Sequence, residues 1–182
     1  MKKNRLLLAV VLLISGLSTT VKAQTSATVN GTTAGAKLIV PMTLTERAPL
    51  HFGTINLLSS APGTVILPSD NTSRSFTGGA VASSVAPLAT NAAFDVAGTK
   101  NVTYALTLPS AITVTETVLG TASMTINDLK ARFVGNPGAD ATTSVLSATG
   151  TDSFKIGGTL IVAASQIGGI YAGTFNVSVD YN

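Results

Sequence analysis

Apolar and polar residues alternate most regularly near the end of the chain, between Gly168 and Asn182. Tyr171, Gly173, Phe175, Val177, Val179 and Tyr181 share one parity, and Ala172, Thr174, Asn176, Ser178, Asp180 and Asn182 share the other. Side chains along a strand point to opposite faces in turn, so the segment from Tyr171 reads as one half-buried strand of roughly 40 Å. Its partners are expected earlier in the chain or on another molecule.

The same period recurs upstream. Ala36, Leu38, Val40, Met42 and Leu44 share a face, and Pro41, which cannot donate to a ladder, marks an edge or a switch between sheets. A turn is expected over Glu46–Pro49, then a strand over Leu50–Ile55 with Leu50 and Phe52 inward, and short strands over Thr64–Leu67 and Arg74–Phe76. Ala92–Gly98 and Asn101–Leu108 read as a hairpin across Gly98-Thr99-Lys100, with Val102, Tyr104, Leu106 and Leu108 on one face. In Met124–Val134 the spacing of Met124, Ile126, Leu129 and Phe133 fits a helix as well as a strand. Phe154–Ala163 is a strand expected to bulge or bend at Gly157-Gly158. Ten or so short strands with frequent turn signals predict an all-β antiparallel sandwich, with a closed barrel as second choice. A membrane barrel does not fit, because the apolar faces vary in length and aromatic girdles are missing.

The first residues follow another rule. Lys2, Lys3 and Arg5 precede an apolar run from Leu6 to Ile14, and Val21-Lys22-Ala23 offers a small-residue cleavage site. That order predicts a secretory signal peptide over 1–23, export through the Sec pathway, and no integral membrane span, since nine apolar residues are too few to cross a bilayer. An N-terminal extension over 24–35 and a sandwich domain over 36–182 complete the expected organisation. Four of the 11 basic residues lie in the leader, leaving seven against eight acidic. The remaining positive charges are scattered from Lys37 to Lys155, so no nucleic-acid partner is expected. Cysteine is absent, which removes disulfide stapling and leaves stability to packing. The Asn-x-Ser/Thr triplets at Asn30, Asn71, Asn101 and Asn176 fit chance in a chain rich in Thr and Ser better than glycosylation.

Candidate chemistry is sparse. His51 is the single histidine, too little for a zinc site built on several His and Cys ligands. A Ser-His-Asp triad needs only one histidine, but His51 stands next to a strand phenylalanine with no nucleophile elbow nearby, and an exposed strand histidine is the simpler reading. Gly78-Gly79 and Gly157-Gly158-Thr159 lack the following helix of a phosphate-binding loop. The acidic residues do not cluster as a calcium loop or a glycosidase pair would require. We therefore expect no enzyme, no cofactor, no metal site and no catalytic residue.

Two resemblances bear on function. Tyr181 in the penultimate position, the alternating Val179, Val177 and Phe175, and Gly169 fourteen residues from the end make the final strand similar to the C-terminal signature of chaperone–usher pilus (fimbrial) subunits. The wider frame resembles the bacterial family catalogued as domain of unknown function 4402. The matching pieces are Ile39–Leu44, Leu50–Gly53, Gly157–Leu160 and Tyr171–Val177. The pilin resemblance implies an immunoglobulin-like β-sandwich lacking one strand and completed by donor-strand exchange. A periplasmic chaperone would fill the groove first, and the N-terminal extension of the next subunit would replace it, with an usher as further partner. It implies a fimbria or pilus subunit, passing through the periplasm to the cell surface of a Gram-negative bacterium. Gly169, Tyr171, Phe175, Val177, Val179 and Tyr181 would form the subunit or chaperone docking edge. The donor would present Ala27, Val29 and Gly31, of which Val29 contributes most on burial, roughly 1.5–3 kcal/mol. This stretch reads equally as an intramolecular strand or a tail, and Ala36–Leu44 is a second candidate donor. The alternative function is a monomeric secreted or surface domain acting in cell adhesion.

Overall fold

The computed structural model describes residues 31–58 and 60–182, and Leu38–Asn182 forms a compact unit of its own. Ala27, Val29 and the expected leader lie outside the described residues. Residues 31–37 carry no strand and are exposed at every position.

The unit Leu38–Asn182 is all-β and sandwich-like, with every strand pairing antiparallel. Its strands in chain order are β1 (Thr43–Ala48), β2 (Ile55–Leu57), β3 (Gly63–Leu67), β4 (Ser75–Gly78), β5 (Ala80–Ala82), β6 (Ala92–Ala97), β7 (Thr103–Thr107), β8 (Ala111–Glu116), β9 (Ser123–Phe133), β10 (Thr143–Val145), β11 (Thr151–Val162), β12 (Tyr171–Ala172) and β13 (Ser178–Tyr181). The large sheet runs β1-β6-β11-β9-β8-β12, with β3 also on β11 and β4 on β3. A small sheet runs β10-β7-β13, and β2 pairs with β5 alone.

β11 is the spine. It pairs with β6, β9 and β3, and its alternate residues Phe154, Ile156, Leu160 and Val162 are buried. Phe154 anchors the first core cluster, stacking on Phe94 at 5.3 Å and meeting Phe133 at 5.2 Å, while Tyr104 of the small sheet meets Phe133 edge-on at 5.8 Å. A second cluster joins Phe52, Val65, Leu67, Ile112, Ile126, Leu160 and Val162. The sheets are also pinned by a polar link. The Tyr104 hydroxyl donates to Asp152 Oδ2 at 3.0 Å, and the Ser144 hydroxyl donates to the same oxygen at 2.6 Å. In a chain without cysteine, this is a hydrogen-bonded tie between the layers.

Several expectations need correction. The bend expected in Phe154–Ala163 is a register shift opposite Gly157 and Thr159, but the extra residue belongs to β9: Gly157 pairs Lys130 and Thr159 pairs Asn127. Asp128 takes φ 51° there, and the inward parity of β9 changes from Met124 and Ile126 to Leu129, Ala131 and Phe133. The helix-like spacing of that segment is the imprint of a bulge on a strand. Ala92–Gly98 and Asn101–Leu108 are not a hairpin, because β6 lies in the large sheet and β7 in the small one. Both strands bury alternate residues in the same cluster from opposite layers, which produces the pattern of a hairpin without its pairing. Ala36–Met42 forms no strand: β1 starts at Thr43 and runs through the expected turn to Ala48, bulging between Glu46 and Ala48. Of Leu50–Ile55, only a bridge from His51 to Thr90 and the start of β2 are strand-like.

Candidate functional site

The long C-terminal strand is two strands in two sheets. β12 pairs with β8 at the rim of the large sheet, through Tyr171–Glu116 and Ala172–Thr115. β13 pairs with β7 at the rim of the small sheet, with Tyr181 opposite Tyr104. Gly173 to Val177 join them outside any ladder. At Gly173 the chain passes so close to β8 that a Cβ would run into the Thr113 carbonyl oxygen, and only glycine fits. The predicted alternation nonetheless survives the crossing. Phe175, Val177, Val179 and Tyr181 are half-buried while the residues between them are exposed, and Phe175 packs against both core clusters.

These side chains differ from those of interior strands. Phe94, Val96, Tyr104, Leu106, Phe133 and Phe154 are buried, whereas the inward face of the C-terminal strand stops at half-burial. Met42 and Leu44, at the opposite rim of the large sheet, pack on the same cluster and are equally half-buried. Among the described residues no strand pairs the outer edge of β1, β12 or β13. Side chains, not a ladder, link the two rims at one end: the Tyr181 hydroxyl donates to the Val40 carbonyl oxygen and accepts the Thr99 amide at 2.7 Å, and Thr99 Oγ1 accepts the Val40 amide at 2.7 Å. A seam of half-covered apolar side chains between two free strand edges can take up one more strand. Main-chain hydrogen bonds would supply affinity, and alternate side chains would fill the half-covered places.

Of the residues expected at the docking edge, Phe175, Val177, Val179 and Tyr181 line this seam. Tyr171 and Gly169 lie elsewhere. The Tyr171 hydroxyl donates to the Ile167 carbonyl oxygen at 2.6 Å, and Gly169 sits against the Glu116 side chain, where a Cβ would collide. Of the donor residues only Gly31 is described; it is exposed with φ 86°.

A family model described as a domain of unknown function (DUF4402) matches residues 42–181, from Met42 at one rim of the seam to Tyr181 at the other. The chain belongs to the DUF4402 family. No curated protein matches it. In this DUF4402 chain polar residues that belong to no recognisable motif brace the frame. Glu116 is buried and its carboxylate accepts the Leu119 and Val118 amides, which hold it below the ordinary carboxylate range. Arg74 donates to the Phe52, Thr54 and Ser83 carbonyl oxygens, at 2.6, 2.9 and 3.2 Å, and lies 5.1 Å from the Phe76 ring centre. Burial first, then the neighbouring Asp152 carboxylate, pushes the Tyr104 phenol far above its ordinary value. The one charged residue of an otherwise apolar and Thr-containing strand was the available signal for Glu116.

His51 is exposed, and its Nδ1 accepts the Gly53 amide at 2.7 Å. Among the described residues no group of three or more His, Cys, Asp and Glu side chains could hold a metal, and no helix is long and apolar enough to cross a membrane. A hollow of about 850 Å³ opens beside β1, lined by Thr43, Thr45, Arg47, Asp95, Thr151 and Ser153 among others. Arg47 and Asp95 form an ion pair there.

Proposed function

We propose that this protein is a structural subunit of a fimbria-like surface polymer, exported and assembled by β-strand complementation. One observation carries the reading: an alternating apolar face that stays half-buried between two strand edges with no partner among the described residues. Such edges template pairing with another chain, and native proteins normally blunt them. The segment over 24–35 of another copy is the proposed donor, with Ala27, Val29 and Gly31 on its inward parity. Because two of these side chains are small or absent, backbone pairing carries much of the affinity. A periplasmic chaperone and an usher are the proposed assembly partners, the chaperone shielding the seam until the next subunit arrives. The immunoglobulin-like description of the sandwich belongs to this proposal too.

The test is the electrophoretic behaviour of the exported full-length protein, compared with a version lacking 24–35. Ladders that persist without boiling and vanish on that deletion are the expected result. A monomer whose melting is unchanged by the deletion would contradict strand exchange. The hollow beside β1 favours one second reading, a monomeric surface domain that binds a ligand in adhesion. That reading predicts a monomer whose binding is lost in Arg47→Ala.

A further inference from the structure

The register of β1, β6 and β11 lines up polar side chains on the outward face of the large sheet. Thr43 and Thr151 flank Ala97 in one rank, and Thr45 and Ser153 flank Asp95 in the next. The intervening Leu44 and Val96 pack in the first core cluster. Neighbouring strands lie about 4.8 Å apart and alternate residues about 6.8 Å, so four hydroxyl-bearing residues mark the corners of a rectangle of roughly 10 by 7 Å. Arg47 joins them because it is the extra residue of the β1 bulge between Glu46 and Ala48. A bulge re-aims the side chain it carries, and Arg47 Nε here donates to Asp95 Oδ2. The hollow of about 850 Å³ opens over these residues, with the exposed Val134 and Val145 also lining it. Its volume is that of a small-molecule site.

The geometry points to this hollow as a binding site for a neutral saccharide. This assignment rests on the reading of the hollow as a ligand site and names the ligand's class; it does not require strand exchange. Charge comes first. Arg47 and Asp95 neutralise each other, and the Asp152 carboxylate at the margin already accepts the Tyr104 and Ser144 hydroxyls and the Gly135 amide. No charged group lining the hollow is left without a partner to draw an ionic ligand, and such a ligand would have to break the Arg47–Asp95 pair. The pair nevertheless keeps open positions. Among the described residues the terminal nitrogens of Arg47 and Oδ1 of Asp95 meet no protein partner. A donor beside an acceptor matches two adjacent hydroxyls of a sugar, one accepting from the guanidinium and the other donating to the carboxylate, and both bonds are charge-assisted. The hydroxyls of Thr43, Thr45 and Ser153 also bond to nothing else among the described residues, and each can donate and accept as a sugar hydroxyl does. The Thr151 hydroxyl is held by Ser147 and Thr149 at 3.2 and 3.1 Å and fixes one side. Ala97, Val134 and Val145 offer apolar surface to the C–H groups of a sugar ring. A purely apolar ligand would bury the ion pair and the hydroxyls unmatched.

The test applies the exported full-length protein to an array of neutral hexose, deoxyhexose and N-acetylhexosamine oligosaccharides, beside sialylated and sulfated glycans and spots of unglycosylated protein. Two variants accompany it, Asp95→Asn and the double change Thr45→Val with Ser153→Ala, with thermal unfolding as the check that each is folded. Binding to neutral oligosaccharides is expected, weakened at least about tenfold in either folded variant. Neutral-glycan binding that survives both changes would put the sugar elsewhere on the molecule and overturn the inference. Binding confined to charged glycans or to protein, and lost in Arg47→Ala, would overturn the neutral-saccharide class and leave the hollow as a ligand site. No binding to any spot would overturn the inference and the second reading with it.

Discussion

Tyr104 and Glu116 show how single polar side chains replace covalent staples in this chain. Tyr104 is fully buried, and its hydroxyl joins the small sheet to Asp152 in the large one. Tyr104→Phe keeps the packing but removes the donor, and should lower stability near neutral pH by about 1–3 kcal/mol in urea unfolding. Because the folded phenol titrates above its ordinary value, near 10, its contribution is complete below that value and is lost as the pH rises through the folded one. The wild-type protein should therefore weaken in strongly alkaline solution, and Tyr104→Phe should lack that step. Glu116 has the opposite sign. The Leu119 and Val118 amides lower its pKa, so its contribution is present above the ordinary carboxylate value and is lost as the pH falls through the folded one. The protection of the Val118 and Leu119 amides against hydrogen exchange, taken relative to their intrinsic rate at each pH, should fall on acidification, and Glu116→Gln should remove that change.

The period-two pattern located most strands but not their partners, and over Ala36–Met42 it marked a strand that does not form. Alternation reports which face a residue takes: Tyr104 and Leu106, expected on one face, are both buried. It does not report which sheet the strand joins, and so β6 and β7 resembled a hairpin while belonging to different layers. In β9 the pattern was broken by one extra residue at Asp128, and a local bulge has the same spacing signature as a helical turn. The final strand combines both effects, keeping its parity while changing sheets beyond Ala172. Gly173 is the pivot of that change. Gly173→Ala should force β12 away from Thr113 and cost about 1–3 kcal/mol in thermal unfolding, with its largest effect on the β8–β12 rim.

For the molecule as a whole, half of the candidate site was legible. The parity of Phe175, Val177, Val179 and Tyr181 named the residues on one rim, but Met42 and Leu44 on the other could be recognised only once the order of strands was known. Gly169 and Tyr171 share that pattern yet both lie against Glu116 at the base of the β8–β9 turn, about 50 residues away in sequence and beyond the reach of local periodicity. Half-burial has a direct consequence. Val177→Ala should cost the isolated domain about 1 kcal/mol, because much of the side chain is already in water, yet should weaken assembly visibly on unboiled gels. The most direct test of the free seam is hydrogen exchange at the amides of Gly173–Tyr181 that do not face β7 or β8, measured on the full-length exported protein before and after assembly. Strand complementation predicts that these amides become protected on assembly and exchange freely in the protein lacking 24–35. Equal exchange in the two proteins would contradict it.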